Sequence, residues 1–407
     1  MILLVRRSPD YWLVTRRGML GGVLTRLTGA MLAGLVFLTG QGGAGRAGAA
    51  CATITAGNID DCVRLNEIQV LGTHNSYHLA PPPPVLTVLG ERGRNVDYSH
   101  RPLAEQLSQL HIRKLELDVF ADPKGGLFAQ PAAFRLVKGL EPLGSELLKP
   151  GFKVLHTQDL DYRSTCSTLK GCLTIVRDWS RAHPWHVPVM IMIEAKDAPV
   201  KDPDGVGDVT PVPIGPSELR ALDEEIRSVF TAAHVLTPDR VRGRHRTLAQ
   251  AIASDGWPTL RAARGTVLFA LDNTDQHRVD YLRGNPSLEG RMLFVSSALP
   301  EPSAAFLKMN DVLAEEAAIA QRVRDGFLVR TRADIPTEEA RSGSTIRRDS
   351  AFRSGAQYIS TDYPETSPFG SGYRAALPEA AGLAARCNPI NAPAGCRSEW
   401  LERAPAR

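Results

Sequence analysis

Eight short apolar runs recur along the chain from residue 68 onward, and each has the length of a buried strand. They are Ile68–Leu71, Ile112–Phe120, Phe152–Leu155, Val187–Ile193, Thr266–Leu271, Met292–Val295, Phe327–Thr331 and Tyr358–Ser360. Runs that stay apolar along their length are typical of strands covered on both faces, as in a parallel sheet.

Helical patterns lie between most of these runs. They are Arg101–Leu110, Leu169–Ala182, Pro216–Thr231, Pro302–Val323 and Pro336–Ser354. Eight strands that alternate with helices predict an α/β protein built as a single (β/α)8 barrel. A doubly wound open sheet is the rival fold, but the chain has no Gly-rich dinucleotide fingerprint, and a count of eight favours a closed barrel.

Two long loops follow predicted strands and are rich in Pro, Gly or Asp. The first, 79–98, contains four consecutive prolines, and the second is 197–215. Both would lie at the carboxyl ends of the strands, where barrel enzymes place their active sites. The tail after Tyr363 is expected to form an irregular strap over the barrel.

Residues 1–50 predict an export signal, which leaves 51–407 as the single barrel domain. Thr15–Leu20 has a twin-arginine pattern, an apolar stretch follows over 18–39, and Ala47-Gly48-Ala49 supplies small residues for cleavage. An uncleaved membrane anchor is one alternative. Acylation of Cys51 is a weaker one, because Gly48 stands where a large aliphatic residue would be expected. We therefore expect an exported protein, either secreted or periplasmic.

The net charge of +4 comes from the predicted signal. Residues 1–50 carry six Arg and one Asp, so the rest of the chain has about one net negative charge. A near-neutral body gives no indication of a nucleic-acid partner.

All six cysteines follow the predicted signal and fall into three pairs that are close in sequence. An even count in an exported chain favours disulfides, although six cysteines allow about 15 connectivities. Local pairing, 51–62, 166–172 and 387–396, is our hypothesis. A zinc site is the alternative, but no Cys-x-x-Cys spacing supports it.

Polar side chains cluster at the ends of the first four predicted strands. His74 and Asn75 follow the first strand, and His156 follows the third. The second strand carries Glu116 and Asp118, which share a face because they are two residues apart. The fourth strand ends in Glu194-Ala195-Lys196. Because parallel strands share one carboxyl-end rim, we expect these groups to meet.

Four of these residues form an oxygen-only ligand set, namely Asn75, Glu116, Asp118 and Glu194. Such a set suits Ca²⁺, with Mg²⁺ as the alternative, rather than zinc. Two histidines beside a cation that binds a phosphate oxygen suit the base and acid of phosphodiester cleavage. The alternative is a buried ion network in which the carboxylates pair with Lys114, Lys196 or an Arg.

Several of these motifs resemble the catalytic half of the phosphoinositide-specific phospholipases C, and they are most similar to the calcium-dependent bacterial branch. The matching stretches are Gly72–Tyr77, Leu115–Asp118, His156 and Ile193-Glu194, within residues 66–196. The segments 328–334 and 359–364 also resemble that branch. The resemblance implies that His74 and His156 are catalytic and that Asn75, Glu116, Asp118 and Glu194 bind calcium.

The resemblance also implies the reaction: cleavage of phosphatidylinositol-type lipids at a membrane surface to diacylglycerol and a cyclic inositol phosphate. Lys196 and Arg330 would then hold the phosphate or the inositol hydroxyls, unless they are partners for rim carboxylates. No protein partner is implied, and a monomer is expected. The alternatives are a glycerophosphodiester phosphodiesterase, a phospholipase for another headgroup, or a barrel that binds lipid or sugar without turnover. His78 lies outside the matched motifs and receives no catalytic role.

Overall fold

The fold is a nearly closed barrel of eight parallel strands. The structure, a computed structural model, describes residues 51–200, 207 and 209–402, so the predicted signal lies outside the described residues. The strands, in chain order, are β1 Ile68–Thr73, β2 Lys114–Phe120, β3 Lys153–Val154, β4 Val189–Ala195, β5 Val267–Leu271, β6 Leu293–Val295, β7 Phe306–Lys308, β8 Leu328–Arg332, β9 Tyr358–Thr361 and β10 Arg386–Cys387.

Around the barrel the order is β6-β5-β4-β2-β1-β9-β8-β7. A single parallel bridge between Ser296 and Phe306 joins β6 to β7 and nearly closes the ring. The strands β1, β2 and β5 are buried along their whole length because the barrel interior covers one face and the outer helices cover the other. The predicted α/β barrel is confirmed.

Helices surround the barrel and fill its connections. Within the described ranges they are α1 Ile59–Cys62, α2 Pro83–Leu89, α3 Leu103–Ser108, α4 Ala133–Leu136, α5 Leu169–Ala182, α6 Pro216–Val229, α7 Pro238–Arg242, α8 Leu248–Ser254, α9 Leu260–Ala263, α10 Gln276–Leu282, α11 Val312–Arg324, α12 Glu338–Ser342 and α13 Ile346–Arg353. Short 3-10 helices span Leu65–Glu67, Gly90–Val96, Ser145–Leu148, Ala232–His234 and Ser398–Trp400. None of the helices in this part of the chain has both the length and the apolarity needed to cross a bilayer.

The prediction of the third barrel strand was wrong. The run 152–155 contains only the two-residue β3, which pairs antiparallel with the end of β2 through Val119 and Val154. The segment between β2 and β3 does not cross back to the opposite end of the barrel, as a parallel connection requires. It returns at the carboxyl end of β2 instead, and β4 takes the neighbouring place in the barrel.

The eighth barrel strand is β7, which the sequence analysis had assigned to the helix Pro302–Val323. The Ala-rich composition of this segment suits a helix, but Phe306–Lys308 pairs with β8 and the helix begins only at Val312. A strand of three residues is too short to show a period, so pairing with β8 outweighs the local helix propensity. The predicted helix Pro336–Ser354 is likewise two short helices, α12 and α13.

The cysteines form the three local disulfides that were predicted, Cys51–Cys62, Cys166–Cys172 and Cys387–Cys396. The last of these lies in the C-terminal tail, where β10 pairs antiparallel with Ile68 and Gln69 at the start of β1. The end of the predicted strap therefore contacts the amino end of the barrel, whereas Tyr373, nearer its beginning, hydrogen-bonds to Asp334 just after β8 at the carboxyl end.

Gly72 in β1 is required by a close approach of two strands. Lys114 lies directly opposite in β2, and a Cβ atom added to Gly72 would lie 2.6 Å from the Cβ and Cδ atoms of Lys114. A side chain here would therefore displace Lys114 from the barrel interior.

We predict that Gly72→Ala lowers the free energy of unfolding by about 1–3 kcal/mol, the usual range for overpacking a filled core. Gly144→Ala is the matched control, because Gly144 has a φ of −66° and no atom within 4 Å of an added Cβ. Chemical denaturation measures both variants, and a Gly72→Ala protein as stable as the control would contradict this account of the packing.

Candidate active site

The six residues predicted to be catalytic or metal-binding all lie at the carboxyl-end mouth of the barrel. His74 and Asn75 follow β1, Glu116 and Asp118 lie in β2, and Glu194 lies near the end of β4. His156 reaches the same mouth because it follows β3, which runs alongside the end of β2. His156 therefore lies at the mouth as predicted, even though β3 is not a barrel strand.

His74 is held between two carboxylates. Its Nδ1 atom lies 2.8 Å from Oδ1 of Asp362, and its Nε2 atom lies 3.5 Å from Oε1 of Glu116. Burial, together with the nearby charge of Arg332, lowers the pKa of His74 to about 4. The ring is therefore neutral near neutral pH, with its proton on Nδ1 facing Asp362, and Nε2 is left free to accept a proton.

Asp362 follows β9 and was not among the predicted site residues. Its second oxygen, Oδ2, accepts a hydrogen bond of 3.1 Å from Nη2 of Arg332. Burial opposes ionisation of this carboxyl, but His74 and Arg332 outweigh burial and lower the pKa of Asp362. An ionised carboxylate therefore orients the His74 ring.

His156 has a carboxylate partner of its own. Its Nδ1 atom lies 2.5 Å from Oδ2 of Asp161, and a quarter of its side chain is exposed to the mouth. Burial and the positive charge of Lys196 lower the pKa of His156. Burial opposes ionisation of Asp161, but two neighbouring histidines, His78 and His156, outweigh burial and lower the pKa of Asp161.

Two amide or carboxylate oxygens at the mouth, Oδ1 of Asn75 and Oδ1 of Asp118, are buried without a hydrogen bond of normal geometry among the described residues. The Tyr77 hydroxyl is also unpaired by this criterion, although it interacts with Asp118 and favours a lower pKa of that carboxyl. The Asn75 side chain is fixed by its nitrogen, which donates to the Tyr98 hydroxyl at 3.1 Å, so its oxygen is the atom left open. Asp118 Oδ2 faces Nζ of Lys196 at 3.0 Å. Buried polar atoms are normally paired, so two open oxygens indicate a missing ligand.

Asp118 and Glu194 are neighbours across the pair of parallel strands β2 and β4. Burial, with the charge of Glu116, outweighs Lys196 and raises the pKa of Asp118 to about 6. Burial and the charge of Asp118 raise the pKa of Glu194 to about 7. The two carboxyls repel each other, and a bound cation would relieve that repulsion.

Glu116 differs from the other predicted ligands because two cations already neutralise it. Its Oε2 atom accepts hydrogen bonds from Lys114 and, at 2.7 Å, from Nη2 of Arg330. Burial opposes ionisation, but Arg330 and Lys114 outweigh burial and hold the pKa of Glu116 well below its usual range. Only Oε1, the atom that faces His74, remains for a further cation.

The donor set fits calcium. Asn75, Asp118 and Glu194 offer oxygen atoms only, two of these atoms are buried without a partner, and two of the carboxyls lack full charge compensation. A hard cation with flexible oxygen coordination suits such a set. We conclude that three of the four predicted ligands are open to a cation and that Glu116 can add at most one oxygen.

The two residues that were predicted to bind substrate lie in different environments, one at the mouth and the other inside the barrel. Lys196 stands beside Asp118 with 23% of its side chain exposed, at the edge of a cavity of about 310 Å³ that His156 and Glu194 also line. Arg330 is 1% exposed, and its guanidinium contacts Glu116, Asn310 and Ser360 inside the barrel. Arg330 therefore takes the alternative role considered for it, as the partner of a rim carboxylate.

Sequence reasoning missed both carboxylates that orient the histidines. Asp362 comes directly after a strand, so the rule that identified His74 could also have identified Asp362. Asp161 carries no comparable signal, because it lies five residues beyond His156 in a loop whose path the sequence does not reveal.

A family model for calcium-dependent phosphoinositide phospholipase C matches residues 63–389. Among solved structures, a calcium-dependent phosphoinositol-specific phospholipase C from Pseudomonas sp is 18% identical over 78% of this chain and 96% of that chain, with a TM-score of 0.48. The calcium-dependent phosphatidylinositol-specific enzyme of Streptomyces antibioticus is 19% identical over 74% and 95%, with a TM-score of 0.47. The phosphatidylinositol-specific phospholipase C of S. aureus is 10% identical over 78% and 94%, with a TM-score of 0.42. No curated protein matches the chain.

The repulsion between Asp118 and Glu194 predicts how stability depends on pH and on calcium. Both pKa values lie above the unfolded value of about 4, so in chelator the two charges cost stability above pH 7, and this cost disappears as the pH falls towards 4. Calcium should therefore raise the unfolding temperature more at pH 8 than at pH 5.

Glu194→Gln tests separately the repulsion between the two carboxylates and the stabilisation by bound calcium. We expect this variant to unfold at a higher temperature than wild type in chelator at pH 8, because one repelling charge is gone, and to gain less from added calcium. Asp178→Asn, which removes a 59% exposed carboxylate from α5, is the control and should leave both values unchanged. If Glu194→Gln gained as much stability from calcium as wild type does, Glu194 would not be a ligand.

Proposed function

Because the chain belongs to the calcium-dependent phosphoinositide phospholipase C family, and is therefore a phosphoric diester hydrolase that uses calcium, we propose that it cleaves phosphatidylinositol-type lipids to diacylglycerol and a cyclic inositol phosphate. The observation that carries this proposal is the pair of carboxylate-oriented histidines beside the open oxygens of Asn75 and Asp118. An acid and a base at one cation site are what an in-line phosphodiester displacement requires.

His74 is the proposed base. Asp362 fixes the ring through Nδ1 and leaves Nε2 free, so Nε2 can accept the proton of the inositol 2-hydroxyl as its oxygen attacks phosphorus. Oε1 of Glu116 lies 3.5 Å from the same nitrogen and stabilises the imidazolium that forms. Lys114 and Arg330 hold Glu116 ionised and in place for this role.

Calcium would be held by Asn75, Asp118 and Glu194, with Oε1 of Glu116 as a further oxygen. When bound there, the ion supplies positive charge that binds a phosphate oxygen and lowers the pKa of a neighbouring hydroxyl. Lys196, at the edge of the same cavity, adds a mobile positive charge for the phosphate.

His156 is the proposed acid. As the bond between phosphorus and the glycerol oxygen breaks, Nε2 of His156 gives its proton to that oxygen and releases diacylglycerol. Asp161 favours the protonated ring, and the negative charge of a bound phosphodiester adds to this effect against the burial that lowers the pKa of His156. The 2-hydroxyl oxygen has meanwhile formed the new bond to phosphorus, so the inositol product is cyclic.

The setting of the reaction is also part of the proposal. Three disulfides favour an oxidising compartment, which supports export of the chain to a place where it meets phospholipid at a membrane surface. A single barrel domain over 51–407, acting as a monomer, is sufficient for the chemistry because every proposed group comes from one chain. The non-catalytic barrel is set aside because the family consists of phospholipases.

Diacylglycerol release from phosphatidylinositol vesicles tests the proposal. We expect release with calcium, none with chelator, and a fall of about 10²-fold or more in His156→Ala, the usual effect of losing an acid catalyst. His234→Ala is the control, because His234 contacts Thr231 before β5, away from the mouth.

Two other outcomes would contradict the proposal. If calcium-dependent activity appeared only as glycerol phosphate released from a deacylated diester, the enzyme would be a glycerophosphodiester phosphodiesterase. If His156→Ala cleaved phosphatidylinositol as fast as wild type, His156 would not be the acid.

A further inference from the structure

His78 has a fully buried ring whose two nitrogen atoms each face an acceptor. Nδ1 lies 3.0 Å from the backbone oxygen of Tyr98, and Nε2 lies 2.8 Å from Oδ1 of Asp161. The other oxygen of Asp161, Oδ2, receives the hydrogen bond from His156. The carboxylate of Asp161 therefore stands between two imidazoles, one buried and one open to the mouth.

Both oxygens of Asp161 are engaged by the two rings. Oδ1 faces Nε2 of His78, and Oδ2 faces Nδ1 of His156. A carboxylate only accepts, so Nε2 of His78 donates to Asp161. His78 therefore fixes one oxygen of the carboxylate that His156 binds by the other.

The ring of His78 has little freedom to move. It packs against the Tyr98 ring at 4.4 Å between centroids and meets the His156 ring edge-on at 5.5 Å. Its main chain bonds to His100, whose ring in turn bonds to the backbone of His74. His78 thus joins the loop after β1, which carries His74, to the loop after β3, which carries His156.

We propose that His78 is a positioning residue for catalysis. It holds Asp161 by one oxygen, so that the other oxygen keeps Nδ1 of His156 in place and Nε2 of His156 faces the leaving group. This inference rests on the proposed role of His156 as the acid. His78 itself touches neither the substrate nor the reacting atoms.

The same three residues could be taken for a metal site, since their nitrogen and oxygen atoms lie within 4.8 Å of one another. A metal would need bare ring nitrogens on the two histidines. Both of these nitrogens instead point at the carboxylate over hydrogen-bond distances of 2.8 and 2.5 Å, which require protons there. The positioning role accounts for these contacts without a second ion.

Leaving-group dependence tests the inference, because an acid is needed for an alkoxide leaving group but much less for a nitrophenolate. We expect His78→Phe, which keeps a ring and loses both ring nitrogens, to lower kcat on phosphatidylinositol by about 10–100-fold, with KM within about twofold of wild type. On the nitrophenyl ester of inositol phosphate the loss should shrink to within about threefold, as it should for His156→Ala.

Two comparison variants make the test specific. Asp362→Asn acts on the base, so it should lower kcat on both substrates alike. His78→Gln retains a donor for Asp161 and should recover most of the activity that His78→Phe loses. Equal losses on both substrates in His78→Phe would mean a merely structural role, and no loss would mean no role; either result overturns the inference.

Side-chain ¹⁵N NMR gives a readout that does not depend on turnover. In wild type we expect Nε2 of His78 and Nδ1 of His156 each to carry a proton that is hydrogen-bonded to Asp161, and the His156 bond should weaken in His78→Phe. If Nε2 of His78 carried no proton, it could not donate to Asp161, and the inference would be overturned. If wild type cleaved neither substrate while the NMR pattern held, the proposed function would fail but the geometry of the three residues would stand.

Discussion

Repulsion between two carboxylates at the mouth of the barrel is the constraint on which the rest of the site depends. Asp118 and Glu194 are set side by side by the parallel register of β2 and β4, and the full burial of Asp118 and partial burial of Glu194 limit the water that can screen their charges. Such an arrangement is costly unless a cation or protons compensate it. Calcium, the cofactor of the family, would supply that compensation.

Two other acids of the mouth have permanent cationic partners. Glu116 has Lys114 and Arg330, and Asp362 has Arg332. Room for Lys114 exists only because Gly72 lacks a side chain, so the packing of β1 contributes, together with Arg330, to keeping Glu116 in β2 ionised. The mouth is thereby divided into a fixed, neutralised part beside His74 and an open part that needs an ion.

The two histidines have the same arrangement. In each, Nδ1 is hydrogen-bonded to a carboxylate, and this leaves Nε2 available for proton transfer in the proposed reaction. Asp362 reaches His74 from β9, whereas Asp161 reaches His156 from a nearby loop. Because the carboxylates come from different parts of the barrel, each ring is oriented by its own partner. Separate supports of this kind suit a reaction in which one group must accept a proton and the other must give one.

The sequence predicted correctly those parts of the structure that follow from the hydrophobic pattern and from the common direction of the strands. Continuous apolar runs predicted β1, β4 and β5 to within two residues at each end, and the shared rim of parallel strands predicted that His74, Asp118 and Glu194 would meet. The three-residue β7 could not be found, because pairing alone makes it a strand. Asp161 and the burial of Arg330 depend on tertiary contacts that no local pattern records.

A crystal structure with calcium, with the ion located by its anomalous scattering, tests the central claim most directly. We predict a single ion at the mouth, about 2.3–2.6 Å from Oδ1 of Asn75, Oδ1 of Asp118 and an oxygen of Glu194. An ion bound elsewhere in the barrel, with these two Oδ1 atoms still unpartnered, would contradict the claim that the open oxygens of the mouth are the calcium site.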